Sequence, residues 1–131
     1  MKPTTTASKE YRFPVARLGA IMRPEPNRPE EAWGVLNPGG VRASDGSMHL
    51  FPRVVAEGNY SRIAHARVLF EAGRPVAVER LGLALEPHES YELAQGGGGV
   101  EDARVVYVPL LKSSCVSSRC VVQHERDPLP R

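Results

Sequence analysis

Val35-Leu36-Asn37-Pro38-Gly39-Gly40-Val41-Arg42-Ala43, then Ser44-Asp45-Gly46, then Ser47-Met48-His49-Leu50-Phe51-Pro52-Arg53-Val54-Val55-Ala56 is the stretch that decides the fold. An Asp-Gly pair between two runs containing alternating apolar residues is a strong short-range signal for a β-hairpin, because the turn needs residues that tolerate positive φ. Working outward, a third run covers Arg62-Ile63-Ala64-His65-Ala66-Arg67-Val68-Leu69-Phe70. It is followed by a turn at Glu71-Ala72-Gly73 and a fourth run, Arg74-Pro75-Val76-Ala77-Val78-Glu79-Arg80. Pro75 suits a strand start or an exposed edge, where a missing N–H costs nothing. The Arg62 run contains helix formers, but its flanking turns limit it to about nine residues, and isolated helices that short are marginal. The four runs therefore predict an antiparallel meander in an all-β chain, with a fifth strand over residues 100–110.

The composition is compatible with that picture. The chain has 131 residues, 41% of them hydrophobic and 24% charged, with 12 Gly and 12 Pro. This is the length of one domain and a turn-rich rather than disordered composition. No apolar run approaches the ~20 residues of a membrane span, and Met1-Lys2-Pro3-Thr4-Thr5-Thr6 leads into no apolar signal segment. A cytoplasmic location without membrane association is the expectation. A net charge of +2 argues against nucleic acid as a partner. The cations are fourteen Arg against three Lys. Arg favours planar contacts to carboxylates, phosphates and sugar hydroxyls, although GC-rich coding explains the same bias. Cys115 and Cys120 lack a second ligand pair, so free thiols are expected and no metal site. Residues 1–34 are polar and proline-studded and read as an irregular lead-in, with a short helical turn started by Pro29.

The chemistry concentrates at Gly96-Gly97-Gly98-Gly99-Val100-Glu101-Asp102-Ala103-Arg104. Glycines allow tight turns and close approach of the backbone, and here they deliver two carboxylates and an arginine to the start of the fifth strand. Taken alone, an Asp after glycines is a turn or cap residue. A four-stranded meander also cannot bury both of its faces by itself and needs neighbours, as a propeller blade does.

Several ordered motifs alter that weighing. They are Gly34-Val35-Leu36-Asn37-Pro38-Gly39-Gly40, His49-Leu50-Phe51-Pro52-Arg53-Val54-Val55, Asn59-Tyr60-Ser61-Arg62-Ile63, Glu79-Arg80-Leu81-Gly82-Leu83-Ala84-Leu85-Glu86-Pro87 and the Gly-rich acidic loop. Each is weak alone. Together, over roughly residues 17–110, the chain resembles the amino-terminal part of glycoside hydrolase family 130, the β-mannoside phosphorylases and β-mannosidases. The resemblance implies a fragment of a five-bladed β-propeller. Residues 35–85 would form about one blade, and residues 100–110 the innermost strand of a second.

It also implies cleavage of a β-mannoside with inversion, either by hydrolysis or by phosphorolysis giving α-mannose 1-phosphate. No cofactor is expected, and inorganic phosphate is a co-substrate only in the second case. An inverting hydrolase needs an acid and a base, whereas phosphate brings its own nucleophile and needs a cationic cradle. Asp102 matches the family's general acid, which is thought to act through a sugar hydroxyl. Asn37 and Arg53 match positions that hold the sugar, and Ser61 and Arg62 are secondary contacts at the pocket rim. Glu101 supports the acid or faces solvent, and Arg104 is expected to brace the loop by pairing with a carboxylate. His49 and His65 read as packing or surface residues.

Two departures stand out. Ala103 replaces the family's proline and is expected to loosen the loop. After about residue 111 the match ends in a Ser- and Cys-containing stretch. Residues 112–131 therefore read as a divergent tail, with a frameshift or gene truncation near residue 111 as the expectation and an inactive isolated chain as its consequence. The alternative is a non-catalytic carbohydrate-binding remnant, or a subunit completed by another chain, with open blade edges available for self-association. An unrelated small β-barrel is the third reading, and it requires the motif agreement to be chance.

Overall fold

The computed structural model describes residues 14–93 and 98–120; Gly96, Gly97 and the end of the tail lie outside them. The strands are β1 (Gly34–Arg42), β2 (Met48–Ala56), β3 (Tyr60–Glu71), β4 (Arg74–Leu85), β5 (Glu101–Val108) and β6 (Ser113–Arg119). The first four form an antiparallel sheet in the order β1-β2-β3-β4, and β5 and β6 form a separate antiparallel pair. The described residues are all-β apart from two 3-10 turns, Pro29–Glu31 and Pro109–Leu111. Among the described residues no helix is long and apolar enough to cross a membrane.

The meander follows from its turns. Asp45 Oδ1 accepts from the Ser47 backbone N–H at 2.9 Å, and Gly46 takes φ +86°, closing β1 onto β2. Ala72 and Gly73 both take positive φ between the paired residues Glu71 and Arg74. That is the two-residue hairpin turn whose twist matches its flanking strands. β4 continues to Leu85, beyond the expected Arg80, because bulges opposite β3 let the pairing run on to Ile63. β6 was not anticipated. It lies in the stretch read as a divergent tail, turned back by Lys112 at φ +47°, and its serines carry little strand propensity of their own.

Each face of the meander is covered by a different neighbour. Side chains alternate across a strand, so Val54, Ala64, Ala66 and Val68 share one face and are all buried. The lead-in crosses that face. Trp33 donates its backbone N–H to Val55 O at 2.8 Å. Arg80 grips Glu31 through two hydrogen bonds of 2.9 Å, and also binds Glu25 and the Arg23 carbonyl. Hydrogen bonding to Glu31 raises the Arg80 pKa despite its partial burial, so the clamp stays charged. On the opposite face Ile63 packs with Val100 and Ala103, flanked by Phe51, Leu85 and Val116. The buried apolar set is small and mostly aliphatic, while Val76, Leu81, Leu83, Val106, Tyr107, Leu110 and Leu111 stay exposed.

Candidate functional site

β5 is seated on the meander by two close backbone approaches. Ser61 and Gly99 form a parallel bridge, and Val100 N–H donates to Ser61 O at 3.0 Å. A Cβ on Gly99 would lie 2.3 Å from that same oxygen, and Gly99 has φ +117°, so only glycine fits. Gly39 plays the matching part on β1, where a Cβ would come within 2.8 Å of Ala103 O. These two glycines bring β1 and β5 side by side with their bulges in register with each other.

Both bulges carry strained residues. The β1–β2 register shifts between Leu36 and Gly39, and Asn37 inside that shift has φ +45°. The β5–β6 register shifts between Glu101 and Arg104, and Asp102 inside it has φ +49°. A bulge re-aims a side chain out of the ordinary alternation. Here the two re-aimed side chains meet: Asn37 Nδ2 donates to Asp102 Oδ1 at 2.9 Å, across 65 residues of sequence. Positive φ at non-glycine residues costs on the order of 1–3 kcal/mol each, and less for Asn and Asp, which enter the left-handed region more readily than other side chains.

Beneath this pair lies an ion cluster. Arg53 Nη2 is 2.7 Å from Glu101 Oε1, its Nε–H donates to Ser61 Oγ at 2.9 Å, and its Nη1 is 3.8 Å from Asp102 Oδ1. Glu101 and Ser61 are buried, whereas Asp102 is partly open. From β6, Arg119 Nη2 reaches Asp102 Oδ2 at 3.3 Å and Glu101 Oε2 at 3.7 Å. The Asn37 amide lowers the Asp102 pKa, with Arg53, Arg119 and Arg104 adding to it against partial desolvation. The carboxyl is therefore ionised at neutral pH and acts as an acceptor. Asp102, Arg104, Ser117, Ser118 and Arg119 line an open recess of about 140 Å³ beside it.

The residues singled out from sequence are therefore placed as follows. Asn37, Arg53, Ser61, Glu101 and Asp102 come together. Ser61 sits under Arg53 rather than at a rim, fully buried with its hydroxyl accepting from the guanidinium. Arg62, one residue on, points to the other face of β3, 3.5 Å from Glu86 and over the Tyr60 ring. Arg104 Nη1 donates to the Asp102 and Ala103 carbonyl oxygens and not to the carboxylate expected of it. Ala103 is buried in the core. Arg119 is the addition that sequence reasoning missed, since the strand that carries it showed no strand signal. Both cysteines are free, and among the described residues no group of three or more His, Cys, Asp or Glu is placed to hold a metal.

Comparison of the chain with family models, curated proteins and solved structures finds no match.

Proposed function

We propose that the chain carries one wall of a β-mannoside-cleaving site of the kind its motifs resemble, with β1–β4 as a first propeller blade and β5 as the innermost strand of the next. The observation that supports the reading is the Asn37–Asp102 hydrogen bond, in which two strained bulges on separate sheets aim complementary groups at one point. Asn37 brings a donor and an acceptor, Arg53 a donor fork, and Asp102 two acceptor oxygens, a set suited to vicinal sugar hydroxyls. In the complete site Asp102 is the proton donor, with phosphate or water as nucleophile. Donation requires that the bound sugar take the Asn37 amide away from the carboxylate, since that hydrogen bond favours the ionised form. The lead-in that covers the outer face and the apolar side chains left exposed on β4 and β5 are what a blade awaiting neighbours presents.

The second reading, a non-catalytic carbohydrate-binding remnant or a subunit completed by another chain, is favoured by one observation. Asp102 is held as a carboxylate by Asn37 and two arginines and is here an acceptor rather than an acid. Saturation-transfer NMR with methyl β-mannoside, methyl α-mannoside and methyl β-glucoside tests the shared part of both. Transfer to the β-mannoside alone is expected, and equal transfer to all three or to none contradicts the assignment. Assaying the chain for mannose 1-phosphate or mannose release then separates them. Size-exclusion chromatography of the purified chain reads completion in trans directly, as a monodisperse oligomer.

A further inference from the structure

Towards the Asp45-Gly46 turn, on the β2–β3 face that also carries Arg53 and Ile63, a second polar chain links Asp45, Ser47, His49 and His65. Ser47 Oγ is 2.6 Å from Asp45 Oδ1 and 2.9 Å from His49 Nε2, and His49 Nδ1 is 2.8 Å from His65 Nε2. The proton positions follow from counting. An ionised carboxylate only accepts, so the single Ser47 hydroxyl proton goes to Asp45. Ser47 Oγ must then accept from His49 Nε2–H, which leaves His49 Nδ1 with a bare lone pair. That lone pair faces His65 Nε2. The His65 ring is fixed in turn by parallel stacking on Phe51, with 4.8 Å between centroids and 1° between planes.

We propose that His49 Nδ1 and His65 Nε2 form a two-histidine chelate for a divalent transition metal, with Cu(II) preferred. The pair is half-buried and open to solvent ligands. Neutral imidazole suits Cu, Ni and Zn, and a ligating histidine characteristically donates its other ring N–H to an oxygen that fixes its tautomer. Ser47 backed by Asp45 supplies that second contact for His49. The metal displaces the proton held across the 2.8 Å contact, and for a pair of imidazole nitrogens the affinity order of the divalent metals places Cu(II) above both Ni(II) and Zn(II). Binding is balanced without redox change. Two nitrogen lone pairs replace two metal-bound waters, the other waters stay, and the His65 proton moves from Nε2 to Nδ1.

The test uses the full chain with Cys115 and Cys120 alkylated, so that neither free thiol reduces Cu(II), freed of metal by chelator and titrated with Cu(II), Ni(II) and Zn(II) salts. One Cu(II) per chain is expected, with a tetragonal electron paramagnetic resonance signal showing nitrogen coupling, and affinity higher for Cu(II) than for Ni(II) or Zn(II). His49→Gln and His65→Gln each abolish the site. Ser47→Ala, which leaves both ligands in place, weakens it by about 10–100-fold. In the unaltered protein, substoichiometric Cu(II) broadens the ring protons of His49 and His65 before those of His88, a readout that needs no variant to fold. Unchanged Cu(II) binding by the double variant, Zn(II) bound more tightly than Cu(II), or His88 broadened first would each overturn the proposal.

Discussion

Replacing Arg53 by methionine isolates the contact on which the candidate site is built. Arg53 lies 2.7 Å from Glu101, and the two side chains are 13% and 7% exposed. Removing one member of a buried pair leaves an uncompensated charge and costs about 3–5 kcal/mol. Two further features shift that figure. Ser61, fully buried, loses the donor to its hydroxyl, which adds about 1 kcal/mol. Arg119 still reaches Glu101, but at 3.7 Å and with a side chain 65% exposed, so solvent weakens its compensation. The balance for Arg53→Met is a loss of about 3 kcal/mol, which for a domain near 100 residues lowers Tm by roughly 12 °C or more. Urea unfolding followed by circular dichroism measures it, in a cycle with Glu101→Leu and the double variant. The double variant replaces the pair by apolar groups and recovers most of the loss, giving a coupling energy of about 2 kcal/mol. A single-variant cost within about 0.5 kcal/mol of zero, or strict additivity in the cycle, would refute the buried-pair reasoning.

Asp102 has a lowered pKa, so the sign runs as for any depressed carboxyl. Its stabilisation is present above the unfolded value of about 3.9 and is lost as pH falls through the folded value. The stability gap between the unaltered chain and Asp102→Asn should therefore stay constant above about pH 5 and close in urea titrations as pH falls below about 3.9 through the lower folded value, and Asn37→Ala should raise the carboxyl's NMR-measured pKa. Gly99→Ala, whose Cβ would strike the Ser61 backbone at 2.3 Å, should detach β5 and β6. Gly58→Ala, with φ +79° and open space, should cost only about 1–2 kcal/mol; equal losses by denaturation would count against the close approach. Arg80→Ala leaves Glu31 buried and unpaired, at about 3–5 kcal/mol. Limited proteolysis should then cut first within residues 14–33, and unchanged cleavage would show that the clamp holds nothing.

What was legible in the chain was local chemistry. Asp45-Gly46 and Ala72-Gly73 announced their turns because few residues accept positive φ, whereas the glycines before Val100 signalled a close backbone approach without naming Ser61 as its partner. The convergence of Asn37 and Asp102 was implied only through a family resemblance, because it depends on two bulges whose positions no alternation pattern reveals. Period-2 geometry separated Ser61 from Arg62, which the linear motif had grouped at one rim. β6 and Arg119 stayed hidden because a run of serines forms a strand here only by pairing with β5. The His49–His65 contact was equally invisible, since it is created by the offset between β2 and β3 and not by sequence spacing.

The central claim is that Asn37, Arg53 and Asp102 face one sugar together. The most direct measurement is an NMR titration of the labelled chain with methyl β-mannoside, observing the Asn37 side-chain amide, the Arg53 Nε–H and the Asp102 carboxyl carbon. All three should shift along one saturable curve, Arg62 on the opposite face should stay still, and Asn37→Ala should remove the response. Absence of shifts at the three groups, or equal shifts at Arg62, would contradict that claim.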